Sequence, residues 1–301
     1  MVIIYNDTAK NMENLENEKI ETLDYYVRQT LENLPRWEYP KMEIKKTAGN
    51  IFVGSGNADN TGRILAREFG GAAFSVVDYQ SFFVNCPEKD LNVYIVNASG
   101  GKDGVKMAQW LTENGRRPKL ITSNPEPPAG EFLRPEDIFV FPAIKEPPTY
   151  NVSTYAAMLY GILKEDISGA AQRIESLPVP DLRKYKFIFF LTADKYEPAG
   201  GAAKRKVAET LAGLGADAGG YSNAAHGMLL QPNSDRLVVC VNCDYEGEGD
   251  WWRFDADSYV ETVLSVYHIV GKNQTEQDSR NILRNYFANA RKQGWRFGKI
   301  W

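Results

Sequence analysis

Residues 51–71 read IFVGSGNADNTGRILAREFGG, and the order of residue types in that stretch decides the class of fold. Ile51 to Val53 is a short apolar run without polar alternation, the pattern of a strand buried on both faces. Gly54-Ser55-Gly56 stops the run with residues suited to a tight turn. Thr61 to Phe69 then carries apolar residues at helical spacing and closes on Gly70-Gly71, a helix C-terminus by composition. Strand, glycine turn and helix in that order form the unit of a parallel sheet covered by helices.

The same unit recurs outward from this stretch. Phe74 to Val77 and Leu91 to Val96 read as strands, and the latter runs into Asn97-Ala-Ser99-Gly-Gly101 and a helix over Val105 to Asn114. Lys119 to Thr122 and Ile138 to Phe141 read as two further strands. Residues 145–150, KEPPTY, read as a crossover into a helix over Ser153 to Lys164. The second half repeats the theme with strands at Phe187–Leu191 and Leu237–Val241 and helices at Ala202–Leu214 and Tyr259–Val270. Similar but unequal offsets between the halves imply a duplicated α/β unit with loop insertions, not a short-period solenoid. Upstream, residues 10–34 place Leu15, Ile20, Leu23, Tyr26, Val27, Leu31 and Leu34 near helical spacing, ended by Pro35. A leading helix that packs on the body or on a partner subunit is expected there. The boundaries that follow are an N-terminal helical segment over 1–44, a first domain over 45–150, and a second over 151–301 with C-terminal helices.

Composition narrows the function classes. The 301 residues are 43% hydrophobic and 25% charged, an ordinary globular balance. With 35 Lys and Arg against 39 Asp and Glu, the formal charge of −4 disfavours a polyanion-binding surface. Neither a nucleic-acid partner nor a helix-turn-helix is expected. No apolar run approaches the ~18 residues of a membrane span, so no membrane partner is expected. Three cysteines, Cys86, Cys240 and Cys243, are too few for a disulfide scaffold, and a reduced, cytoplasmic protein is the expectation.

Several motifs have two readings. Gly54-Ser-Gly56 with Asp78 at about 20 residues' distance invites a dinucleotide site, but Asp59 occupies the place of the third glycine and would repel a pyrophosphate. Asn97 to Lys102 also lies between a strand and a helix. Two such loops at the carboxyl ends of neighbouring strands would suit an anion, with Ser99 donating and Lys102 adding charge; a solvent-facing turn is the alternative. Cys240-x-x-Cys243 ends a strand rather than opening a helix, which favours buried strand cysteines over a redox or zinc motif. His268 falls within YVETVLSVYHIV, a structural position. His226 lies in a glycine-bearing loop, downstream of Glu209 on the helix that begins the second half.

In combination these pieces resemble the sugar isomerase (SIS) domain family over about residues 45–290, in particular its double-domain members. Those members include the bifunctional phosphoglucose/phosphomannose isomerases and the isomerase half of glutamine–fructose-6-phosphate amidotransferase. Gly54-Ser-Gly-Asn57-Ala58 is similar to the family's first loop and Val77-Asp-Tyr79 to its second strand end. Asn97-Ala-Ser99-Gly100-Gly-Lys102 matches in part its phosphate loop, and Asn151-Val-Ser153-Thr-Tyr155 its crossover. Lys206-Val-Ala-Glu209 followed by His226-Gly227 matches its second-domain signature with one extra residue. The resemblance implies two doubly wound domains, each with a mainly parallel five-stranded sheet flanked by helices. It implies a homodimer with shared active sites and no cofactor or metal. It also implies aldose–ketose isomerisation of a hexose 6-phosphate through a cis-enediol, with Glu209 as proton-transfer base. His226 would open the ring, reaching in from the neighbouring subunit. Both roles are chemically sensible: one carboxylate serves two adjacent carbons, and ring opening wants a group titrating near neutrality.

By the same resemblance, Gly54, Ser55, Gly56, Asn57, Asn97, Ser99, Gly100, Lys102, Ser153 and Arg284 would contact sugar or phosphate, with Lys292 and Lys299 as alternatives to Arg284. The departures from the family pattern are specific. Ala58 replaces the first loop's serine, Asn97 and Lys102 replace hydroxyl residues of the second, and Thr149 or a neighbour stands where some members carry arginine. The phosphate site is thus rebuilt or eroded. Cleavage of an amino or glycated sugar phosphate, and phosphosugar binding without catalysis, are the alternative functions.

Overall fold

The computed structural model describes residues 20–86, 88, 90–147, 149–224, 233–245, 247–281 and 284. Five parallel strands form one sheet: β1 (Asn50–Gly54), β2 (Ala72–Ser75), β3 (Asn92–Val96), β4 (Lys119–Thr122) and β5 (Ile138–Val140), in the order β2-β1-β3-β4-β5. Four more build a second parallel sheet: β6 (Phe187–Thr192), β7 (Gly215–Gly220), β8 (Arg236–Val241) and β9 (Asp250–Phe254), in the order β7-β6-β8-β9. Each order reverses beside its first strand. The second sheet has four strands among the described residues rather than the five expected.

Helices supply the covering layers: α1 (Leu23–Asn33), α2 (Asn57–Phe69), α3 (Tyr79–Asn85), α4 (Asp103–Glu113), α5 (Val152–Leu163), α6 (Ala170–Glu175), α7 (Glu197–Thr210), α8 (Tyr221–Ala224) and α9 (Tyr259–Lys272). No helix among the described residues is long and apolar enough to cross a membrane. Parallel strands buried on both faces must be apolar throughout, and Ile51, Phe52, Val53 and Ile188 to Leu191 are each almost fully buried. One continuous core joins the sheets, with Phe52, Val96 and Ile121 from the first and Ile188, Phe190 and Val239 from the second. Tyr155, Met158, Val207, Val263 and Tyr267 from α5, α7 and α9 belong to the same cluster. Smaller clusters cover the outer faces around Val53, Ile95 and Met107, and around Phe189, Leu191 and Cys240.

The leading helix packs on the body. Leu23, Val27 and Leu31 of α1 are buried, the Leu23 N–H donates to Gln274 Oε1 at 3.0 Å, and Tyr150 Oη donates to the Glu21 carbonyl. Residues 10–19 of the expected helix lie outside the described residues. Boundary differences have local causes. α2 starts at Asn57 because the residues after Gly56 are already helical, and α7 starts at Glu197, with Pro198 in its first turn where the missing N–H is harmless. Trp251 and Trp252 lie in edge strand β9, with the Trp252 ring packed on Phe254 at 5.4 Å. Cys240 is buried in β8 and the Cys243 thiol donates to the Leu191 carbonyl, so the pair belongs to the packed end of the strand.

Candidate functional site

All strands of the first sheet run parallel, so the loops leaving β1, β3 and β5 emerge along one edge. The order reversal lies between β1 and β3, the place where open α/β sheets leave a crevice. The β1 loop is tight: a Cβ on Gly54 would sit 2.6 Å from the Ala58 carbonyl carbon, and Gly56 adopts φ +68. Only glycine fits the first position, and it is strongly favoured at the second. The Ala58 N–H donates to the Ser55 carbonyl, closing the turn that starts α2. Asn57, 7% exposed, carries an amide oxygen without a hydrogen-bond partner.

The β3 loop is braced from within. Thr122 Oγ1 and Ser123 Oγ donate to the Ala98 carbonyl, Asn124 Nδ2 donates to that of Ser99, and the Ala129 N–H donates to that of Gly100. The Ser99 hydroxyl accepts from the Gly101 N–H at 3.2 Å and reaches Asn97 Oδ1 at 3.4 Å. Asn97 leans on the first turn of α4, where a Cβ on Gly104 would lie 3.0 Å from its Cγ. Lys102 is exposed and precedes α4 with φ 41. The hydroxyl and amide expected to face an anion are thus bonded inside the loop.

The crossover after β5 holds a feature the sequence reading missed. Glu146 is buried, and its carboxylate accepts from the N–H groups of Val152 and Ser153 at 2.8 and 3.0 Å and from Ser153 Oγ at 2.7 Å. A chain carboxylate therefore occupies the N-terminus of α5, where backbone donors and the helix dipole favour negative charge. Burial pushes the Glu146 carboxyl above the usual carboxylate range, opposed by the Ser153 hydroxyl, by backbone donors and by the charge of Lys206. Ser153 was expected to contact substrate. It is fully buried, donates to Glu146 and accepts from the Ile144 N–H, so its hydroxyl is committed to the crossover.

α7 crosses this edge antiparallel to α2. Arg67 pairs with Glu197 at 2.6 Å, and a Cβ on Gly201 would lie 2.6 Å from Asn60 Oδ1. Further along, Arg205 lies over Gly56, with Nη1 3.6 Å from where a Cβ would be. One residue on, Lys206 is fully buried and directs Nζ at the Thr149 carbonyl, the Tyr150 carbonyl and Glu209 Oε2, at 2.9, 2.9 and 2.8 Å. Three acceptors match the three donors of an ammonium, and Nζ also lies 5.3 Å from the centre of the Tyr267 ring. The result is a Glu209 carboxylate held at one oxygen beside the crossover while its side chain keeps 35% of its exposure.

The structure thus brings Glu209 to the edge that carries the two glycine loops. Arg205, absent from the expected set, joins it there; its signal was the i, i+4 spacing that places Arg205 and Glu209 on one helix face. Glu146 had a weaker signal, a lone acid in a proline-rich crossover. Arg284 is exposed. His226, Gly227, Lys292 and Lys299 lie outside the described residues.

No protein-family model matches the sequence, and no curated protein matches it. Solved structures do. The C-terminal domain of glucosamine-fructose-6-phosphate aminotransferase from Francisella tularensis superposes with a TM-score of 0.61 at 11% identity, over 87% of this chain and 95% of that one. Glucosamine-6-phosphate deaminase from Thermotoga maritima gives 0.58 at 14% identity, over 85% and 91%. Tagatose-6-phosphate ketose/aldose isomerase from Escherichia coli gives 0.57 at 13% identity, over 85% and 86%. At such identities the likeness is one of fold, and this chain shares its two-sheet α/β fold with these three proteins.

Proposed function

We propose that the chain is an SIS-type enzyme that interconverts an aldose and a ketose phosphate of the hexose 6-phosphate class. Glu209 moves the proton between C1 and C2. The observation that carries this reading is the state of Glu209: partly exposed, beside the crossover, with one oxygen tied to a buried ammonium. The buried ammonium, itself fixed by two backbone carbonyls, holds one carboxylate oxygen in place and leaves the other for the substrate proton. Abstraction of the proton next to the carbonyl, with protonation of the carbonyl oxygen, gives a cis-enediol; return of the proton to the neighbouring carbon, with loss of the other hydroxyl's proton, completes the isomerisation without net redox change. Lys206 donates all three of its N–H bonds to protein oxygens, which suits a positioning role for it rather than attack on the sugar carbonyl. His226 opens the ring, donated by the second subunit of a homodimer. Gly54, Ser55, Gly56, Asn57, Gly100, Lys102 and Arg284 contribute to the sugar and phosphate surroundings.

Incubation with glucose, mannose, fructose and tagatose 6-phosphates, followed by chromatographic separation of aldose from ketose, tests the reading. Interconversion of one pair is expected. Release of ammonia or of an amino acid from an amino or glycated sugar phosphate, with no interconversion, would replace it by the deaminase or deglycase alternative.

A further inference from the structure

The cations on α2 and α7 are matched to acids or carbonyls with one exception. Arg63 pairs with Asp59 at 3.0 Å, Arg67 with Glu197 at 2.6 Å, Lys204 with Asp217 at 2.5 Å, and Lys206 with Glu209 and two carbonyls. Arg205 is exposed and makes no ion pair or hydrogen bond among the described residues. It nevertheless has a defined place, with Nη1, Cδ and Cζ 3.6 to 3.8 Å from the missing side chain of Gly56. Its guanidinium therefore lies against the bare backbone of the β1 turn at the start of α2. Asn57, in the first turn of α2, is more than nine-tenths buried and has an amide oxygen without a partner, a group that a ligand hydroxyl would satisfy. The Asp59 carboxylate, the nearest acid on this turn, is engaged by Arg63 through Oδ2, while its Oδ1 is buried without a hydrogen-bond partner. On the β3 loop, by contrast, Ser99 is bonded inward and Asn97 leans on the first turn of α4.

We propose that Arg205 binds the phosphate group of the substrate against the Gly54–Asn57 turn, one helical turn from Glu209, taking over from the hydroxyl set that the β3 loop lacks. This rests on the reading of the site as a phosphosugar site and adds to it the residue that selects for the anion. A planar fork of donors over a glycine turn matches a phosphate monoester, which a lone hydroxyl or a point charge does less well.

Calorimetric titration of the full chain with inorganic phosphate and with fructose 6-phosphate tests it, using wild type, Arg205→Gln, Arg205→Lys, Lys102→Gln and Lys204→Gln. Arg205→Gln is expected to raise the Kd for both ligands about tenfold or more, Arg205→Lys to recover part of the loss, and Lys204→Gln to change little. An unchanged melting temperature of Arg205→Gln in phosphate-free buffer shows that the loss belongs to binding. Equal affinities for wild type and Arg205→Gln, a loss that follows Lys102→Gln instead, or no phosphate binding by wild type would each overturn the proposal. Aldose–ketose interconversion by a protein indifferent to Arg205→Gln would leave the isomerase reading standing, whereas phosphate binding through Arg205 without turnover would remove that reading and keep this one.

Discussion

At the scale of single residues, Lys206 holds the site together. Its ammonium is removed from water yet surrounded by three oxygens and a tyrosine ring, so it ties α7 to the crossover and positions Glu209 in one act. Lys206→Met leaves two carbonyls without donors and is expected to destabilise the fold by roughly 2–4 kcal/mol, read from the midpoint of urea unfolding. His268 makes a second residue-scale prediction. Burial holds its imidazole below the ordinary 6.5, and Lys272 adds to the effect. The unfolded chain takes up a proton near 6.5 while the folded chain does not. Stability is therefore unaffected above that pH and falls as pH drops through 6.5 toward the lower folded value. Replacing His268 with Gln should flatten this part of the melting-temperature profile between about pH 7.5 and 5.5 relative to wild type. The spacing that lets Lys206 pair with Glu209 was legible as Lys206-x-x-Glu209. The commitment of Ser153 to Glu146 was not, because a hydroxyl's partner is set by tertiary contact and not by its neighbours in sequence.

At the scale of elements, the α5 N-terminus shows a helix end built without a local cap. Asn151 precedes it with φ 48 and makes no side-chain cap bond, and Glu146 reaches across the crossover to take the N–H groups instead. Glu146→Ala is expected to cost about 3 kcal/mol or more in urea unfolding, and Glu146→Gln, which keeps a carbonyl acceptor, distinctly less. The elements whose chemistry lies in their own residues were legible: Lys119–Thr122 and the core of Phe187–Thr192 follow from apolar runs. β7 was not, since Gly215-Ala-Asp-Ala-Gly-Gly220 has no β-branched or aromatic residue and is a strand because β6 pairs with it along its length. α3 was missed for a related reason: seven residues give too few turns for a periodicity to register.

At the scale of the whole molecule, two parallel sheets share one apolar core, and helices drawn from both halves meet between them. That arrangement explains how a residue of α7, from the second half, comes to lie over the β1 turn of the first. The recurring order of strand, turn and helix made the parallel α/β class readable, but the antiparallel crossing of α2 and α7 that brings Arg205 to the β1 turn exists only in three dimensions. In the proposed reaction this crossing sets the Glu209 carboxylate over a phosphosugar, where it transfers the proton. Solvent deuterium incorporation, followed by proton NMR of a hexose 6-phosphate in heavy water, tests it most directly with wild type and Glu209→Gln side by side. The account predicts label at C1 or C2 with wild type and a rate at least about 100-fold lower with a folded Glu209→Gln; equal labelling by both proteins, or none by wild type with any hexose 6-phosphate, would contradict it.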